Sequence, residues 1–298
     1  MQGYRTRQRP VRPRARRGCI WQILIVGLSL FACMLGLCSM LTLGYFLFPP
    51  QPLDILILGL DSREGEGFAT RTDSIMLLGV NPRGLQASLL SIPRDLFINV
   101  PGYGEQRINT VNVLGELEAE GRGPQLLAES VALSFGVEID RYARLDFDAF
   151  VELIDAIGGV TIDVENLIVD DTFPTADYGT ISVRFEPGRQ HMDGATALIY
   201  ARTRHGDDDF ARAARQQQVL SAVADKLANP LYWPGALSVL LSNTDTNLTL
   251  LDMPAIAPAL LLSGLDRRVI DREAILGGEN GAVPNYDLLR PWIDERFN

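Results

Sequence analysis

Four short clusters place arginines beside carboxylates: Gly59-Leu60-Asp61-Ser62-Arg63, Arg71-Thr72-Asp73-Ser74, Ser91-Ile92-Pro93-Arg94-Asp95, and Ala201-Arg202-Thr203-Arg204 with Arg212-Ala213-Ala214-Arg215-Gln216. Guanidinium forks match phosphate oxygens two at a time, and neighbouring carboxylates can hold a hard divalent cation that bridges the same oxygens. The combination suits a metal-bridged pyrophosphate, and neither residue type accounts for it alone. Arg63, Arg94, Arg202 and Arg204 form the candidate clamp, positive charge placed in advance where a departing phosphate gains negative charge. Asp95, next to Arg94, and Asp209, just ahead of Arg212, are alternative proton acceptors for an attacking hydroxyl. The plainer readings are surface ion pairs with Asp95, Asp207 or Asp208, which add little stability, and a turn-capping role for Asp61.

Other chemistries find no support. His191 and His205 are the only histidines, and the three cysteines (Cys19, Cys33 and Cys38) fall in or beside an apolar N-terminal stretch, so a zinc site is not expected. No Gly-x-Ser-x-Gly surrounds Ser62, Ser74 or Ser91, which removes a serine nucleophile elbow.

The clusters stand at the ends of runs that read as regular structure. Leu53 to Leu60 is a nearly continuous apolar run, as in a central strand buried on both faces, and Ser74 to Val80 repeats it. The turn sequence Asn81-Pro82-Arg83-Gly84 joins it to a third strand, Leu85 to Ile92, and Pro93 then leaves Arg94 and Asp95 in a loop. Residues 109 to 135 read as two helices broken at Gly121-Arg122-Gly123-Pro124, and Ile139 to Leu145 as a strand. Asp146 to Ile157 has helical periodicity, ended by Gly158-Gly159, before a strand from Val160 to Val164. Residues 166 to 190 lack periodicity and read as a hairpin or an irregular lid. Helices follow at Asp193 to Ala201 and Phe210 to Leu227, the second placing Arg212, Arg215 and Gln216 on one face. Pro230, Pro234, Pro254 and Pro258 then punctuate short helices ahead of a strand near Arg268 to Asp271, a region with no constellation of its own. This order predicts a mixed α/β (α+β) domain around a central sheet.

The first 17 residues carry seven arginines and no acid, and Gly18 to Phe48 is uncharged and strongly apolar. A span needs about 20 apolar residues, and no convincing cleavage site follows, so an uncleaved transmembrane anchor is expected. Arginine asymmetry keeps the tail in the cytoplasm and puts the remainder outside. The predicted division is therefore a tail at 1–18, an anchor at 19–48 and one extracytoplasmic domain at 49–298, without an internal disulfide. The net charge of -10 hides an asymmetry: setting aside the seven tail arginines leaves 20 cationic and 37 acidic side chains, -17 outside. That argues against nucleic acid as the main partner. Lysine occurs once, at Lys226, so part of the arginine usage is background composition.

In content and order, these motifs resemble the LytR-CpsA-Psr family of envelope proteins over roughly residues 54 to 225. The matching segments are Asp61 to Arg63, Arg71 to Asp73, Ser91 to Asp95, Arg107 to Asn109, Gly158 to Val160, Met192 to Leu198, Tyr200 to Arg204 and Arg212 to Gln216. The resemblance implies an enzyme that moves a glycopolymer from a polyprenyl-pyrophosphate carrier onto a wall acceptor, commonly a peptidoglycan hydroxyl. The acceptor would attack the sugar-side phosphorus and release polyprenyl phosphate. It also implies Mg²⁺ on Asp61 and Asp73, with Arg71, Arg107, Arg212, Arg215 and Gln216 as substrate-binding residues. Two rivals stand beside it: a pyrophosphatase that uses water on the same lipid, and a non-catalytic lipid-binding module. Helices at 125 to 135, 147 to 157, 193 to 199 and 217 to 227 either line a groove for the polyprenyl chain or are ordinary core. Thr72 replaces the commoner serine, and 166 to 190 follows no family pattern.

Overall fold

The computed structural model describes residues 17–60, 62, 67–175, 179–203, 209–227, 229–242, 244–263 and 265–297. Asp61, Arg63 and Arg204 lie outside the described residues, as does the side chain of Asp209. The chain divides into two compact units, Met1–Pro49 and Pro50–Asn298. The first contains helix α1 (Arg17–Leu47), of which Leu24–Leu47 is long and apolar enough to cross a membrane.

The second unit begins with an antiparallel meander, β1 (Leu53–Leu60), β2 (Thr72–Asn81) and β3 (Gln86–Ile92), as the alternation of apolar runs and turn residues predicts. A small hairpin, β4 (Phe97–Val100) with β5 (Gly104–Arg107), leads into helices α2 (Val111–Glu118) and α3 (Gly123–Phe135). Strand β6 (Arg141–Leu145) then returns parallel to β1. Next come α4 (Phe147–Ala156), β7 (Val160–Val164), a hairpin of β8 (Ile168–Pro174) and β9 (Thr180–Phe185), and β10 (Gly188–Met192), which pairs with β7. Helices α5 (Gly194–Arg202), α6 (Asp209–Leu227) and α7 (Trp233–Ser242) follow, then β11 (Asp245–Thr246), α8 (Met253–Ser263) and β12 (Leu265–Val269). The chain closes with β13 (Ile275–Gly277), β14 (Ala282–Pro284) and α9 (Tyr286–Phe297). The central mixed sheet has the order β11-β6-β1-β2-β3-β12. The 166–190 region thus holds hairpin β8–β9 rather than an irregular lid.

Local chemistry sets the helices beside the sheet. Asp146 caps α4 by accepting the Ala149 amide at 2.8 Å, and Asp193 caps α5 by accepting that of Thr196 at 2.8 Å. Gly159, at φ 74°, ends the turn after α4 where a Cβ would meet Met192 O at 2.7 Å. At Gly194 a Cβ would meet Val151 O at 2.2 Å, so glycine is what lets α5 lie against α4.

Side chains alternate across the sheet, and its two faces differ. On one face Leu56, Leu58, Ile75, Leu77, Leu90 and Ile92 pack with Leu127 and Val131 of α3 and Leu289 and Ile293 of α9 in a closed core. Arg144, 2% exposed, bonds Glu116 at 2.5 Å, Asn112 at 3.0 Å and Asp245 at 2.6 Å, with Phe68 stacked at 4.2 Å. Burial alone would raise the Glu116 carboxyl; bonds from the Gly121 amide, Arg144 and the Gly123 amide outweigh it and hold it below the usual range. Asp54, buried in β1, is the contrary case: burial, then the charges of Asp140 and Glu138, push it up to about 8.

Candidate active site

On the other face of the sheet, Ile55, Ile57, Met76, Leu78 and Ala143 line a cavity of about 750 Å³, within the range of small-molecule sites. Phe150 and Leu153 of α4, Val219 and Val223 of α6, Trp233 and Leu237 of α7, and Ile256 and Leu260 of α8 complete its apolar wall. The register orients it. Gly59 pairs with Ser74 and with Leu145 at one end, and Ile55 with Leu78 at the other, four residues or about 13 Å away.

The end marked by Gly59 and Ser74 is the charged one. Asp73 opens onto the cavity there, next to Ser74, and Asp146 does so directly after Leu145. Arg202, at the end of α5, stacks on Phe147 at 4.1 Å and on Phe173 of β8 at 5.6 Å. Arg215 donates from Nη2 to the Thr203 carbonyl at 2.5 Å, which brings the start of α6 beside Arg202. From that start Arg212, 5% exposed, and Gln216 reach the cavity lining. Asp170 and Thr172 of β8 also line it; the Asp170 carboxylate accepts the Thr172 amide at 3.1 Å and its hydroxyl at 3.3 Å. The opposite end is apolar: Ile55, Ile57 and Leu78 pack with Leu248, Ile256 and Leu260.

Beside this mouth, charges alternate along a chain of contacts. Arg94 Nη1 donates to Asp73 Oδ1 at 2.5 Å, Arg94 Nε lies 3.5 Å from Asp95, and Arg107 lies 3.3 Å from the other Asp95 oxygen. An amphipathic cavity of this kind can take a long apolar chain ending in a multiply charged anion.

Residues 49–277 match the model of the LytR_cpsA_psr family. The chain belongs to the LytR-CpsA-Psr family. It is 35% identical over 179 residues to the polyisoprenyl-teichoic acid–peptidoglycan teichoic acid transferase TagU of Oceanobacillus iheyensis, covering 59% of this chain and 52% of that protein. It is 33% identical over 180 residues to the regulatory protein MsrR of Staphylococcus aureus, covering 59% and 50%. The chain spans about half the length of these curated relatives. Among solved structures, it resembles B. subtilis TagV with a TM-score of 0.65 and 25% identity, covering 82% of this chain and 96% of that one.

The LytR-CpsA-Psr fold sorts the predicted residues. It brings Asp73, Arg202, Arg212 and Gln216 into one cavity, with Arg94 bonded to Asp73 at its edge. Arg215, predicted on the same helix face as Arg212, is buried and bonds backbone at Thr203 instead of lining the cavity. Asp95 stands between two arginines outside the lining, while Arg71 and Arg107 are exposed. Of the helices offered as groove walls, α4 and α6 line the cavity and α5 adds Leu198, but α3 packs on the opposite face.

Several lining residues escaped the sequence reading. Asp170 had a signal, since acidic residues are depleted from strands and this one sits in a run bounded by Ile168 and Phe173. Phe173 had none, because its role depends on where Arg202 comes to lie; Phe147 falls in a helix offered as a groove wall, but its contact with Arg202 has no local signal. Helices α7 and α8 come from the segment that carried no motif. Their signal is composition: from Leu227 to Leu265 only Asp245 and Asp252 are charged.

Proposed function

We propose that this chain is a membrane-anchored transferase that moves a glycopolymer from a polyprenyl-pyrophosphate carrier onto a peptidoglycan hydroxyl. The observation that carries the proposal is the cavity, apolar along the sheet and charged at one end, a shape and polarity that match the donor. The relative TagU, named as a teichoic acid transferase, supports the same reading. MsrR carries a regulatory name, but arginines gathered at an apolar cavity are what a donor site requires. In this reading residues 1–18 are cytoplasmic, 19–48 anchor the chain, and 49–298 work outside, an orientation supported by the seven arginines of the tail.

The chain's own groups hold the diphosphate. Arg202, held over the rings of Phe147 and Phe173, would present guanidinium N–H donors to the diphosphate oxygens. Arg212 and Gln216 join it from α6, with Arg63, Arg94 and Arg204 completing the clamp, and Arg215 braces the α5–α6 junction. Arg71 and Arg107, both exposed, would meet the glycan beyond the phosphates. Asp209 is preferred over Asp95 as proton acceptor, because Asp95 lies between Arg94 and Arg107.

The donor set fits Mg²⁺. The charged end offers carboxylate, hydroxyl and amide oxygens, and among the described residues no three His, Cys, Asp or Glu converge into a closed metal cage. Such a set suits an ion that takes one or two carboxylates and completes its shell with phosphate and water. Asp73 and Asp61 would hold it, and when bound it would neutralise charge on the diphosphate.

The test uses the full chain in nanodiscs with a polyprenyl-pyrophosphoryl oligosaccharide, peptidoglycan fragments and Mg²⁺, read by mass spectrometry. A glycan–peptidoglycan phosphodiester that disappears in Asp73→Ala is the expected result. Released glycan phosphate alone would establish hydrolysis instead, and tight donor binding without product would establish a binding module.

A further inference from the structure

The outer sides of α7 and α8 have a chemistry unlike the rest of this acidic domain. Between Leu227 and Leu265 only Asp245 and Asp252 are charged, and both turn inward, to Arg144 at 2.6 Å and to Arg141 at 3.0 Å. The outer surface left is uncharged, with exposed leucines among Asn229, Ser238, Ser242 and Thr249. Leu251 is 88% and Leu231 83% exposed, and Leu241, Leu250 and Leu262 are exposed with them. Single exposed leucines are ordinary; five around two otherwise uncharged helices mark an interaction surface. The inner sides of the same helices, through Trp233, Leu237, Ile256 and Leu260, line the cavity.

We propose that this face rests in the surface of a lipid bilayer and that the donor's chain passes into the cavity beneath it. The second part rests on the donor reading above; the first does not. The border of the patch has the composition of a membrane interface. Tyr232 places one half-buried amphipathic ring beside the exposed Leu231, and Lys226, the only lysine in the chain, lies 5.0 Å from that ring. Tyrosine favours headgroup depth, and a lysine stem lies along apolar surface while its ammonium meets anionic lipid. The chain also carries a helix long and apolar enough to cross a membrane, so a bilayer is the one large apolar phase already tied to it.

The experiment uses the full chain in phosphatidylglycerol-containing nanodiscs, with Cys19, Cys33 and Cys38 replaced by alanine and a nitroxide at Leu231→Cys, Leu251→Cys or Leu262→Cys. Leu117→Cys, at a 75% exposed position of α2, is the water-facing control. Oxygen should relax the three patch labels more strongly than a water-soluble nickel complex, with the reverse order at 117. Nickel access at 251 equal to that at 117 overturns the proposal. So does spin–spin broadening among the patch labels that vanishes on dilution with unlabelled protein, which would assign the face to a second copy. For lipid passage, Leu231→Glu with Leu251→Glu should slow turnover of a long-chain donor about ten-fold or more while sparing a short, water-soluble donor. Equal loss on both overturns that part. If the unsubstituted chain turns over neither donor, the transferase reading has failed while the nitroxide result still decides the bilayer contact.

Discussion

The two faces of the central sheet are built from the same strands and do opposite work. Leu56, Leu58, Ile75 and Leu77 are 2% or less exposed and meet side chains from helices and neighbouring strands. Their neighbours Ile57, Met76 and Leu78 meet a cavity. Closed packing on the first face stabilises the fold, and the second leaves apolar surface for a ligand to cover. Polar groups differ in the same way. Arg144 bonds Glu116, Asn112 and Asp245 beside the closed core, and Arg202, Arg212 and Gln216 line the cavity on the other side.

That contrast can be broken by substitution. Arg144→Ala should cost about 3–5 kcal/mol in urea unfolding, because Glu116 is left buried without its cation. Arg202→Ala should cost no more than about 1–2 kcal/mol in unfolding, the worth of its contacts with Phe147 and Phe173, and lower transfer by roughly 10²–10³-fold, about 2.7–4 kcal/mol of barrier, in the same mass-spectrometric assay. An equal fall in stability would move Arg202 to the structural side. Leu77→Ala should lose about 2–5 kcal/mol, and Ile57→Ala, which only enlarges an existing cavity, about 1 kcal/mol. Similar losses from the two would mean that the faces are equally packed.

A pH-dependent effect should come from Asp54, on the closed side near Phe297. Its carboxyl, pushed up to about 8 from 3.8, gains protons on folding, so its contribution is fully present below about pH 4. It is lost as pH rises through 8. Asp54→Asn should therefore flatten the fall in melting temperature between pH 5 and 9. An unchanged slope would show that Asp54 is not the group responsible.

Legibility followed the range of the forces involved. Strands β1 to β3 and helices α4 to α6 could be read because apolar periodicity, Asn-Pro-Arg-Gly and the Gly158-Gly159 stop act over a few residues. So could the candidates Asp73, Arg202, Arg212 and Gln216, which sit in compact motifs at element ends. Arg215 shows the limit. It shares the helical spacing of Arg212 and Gln216, yet the backbone of Thr203 captures its guanidinium. The pairing of Arg94 with Asp73, 21 positions apart, depends on how the loop after β3 returns to the start of β2.

By itself, then, the sequence determined the long apolar N-terminal helix, the main strands and helices, and the order of the family's motifs, all written in local spacing and hydropathy. Only the tertiary structure decided that α3 belongs to the closed core, that Phe147 and Phe173 stack on Arg202, and that α7 and α8 wall the cavity. These facts arise from side chains far apart in sequence competing for the same buried space, and no spacing rule along one chain records which of them will meet.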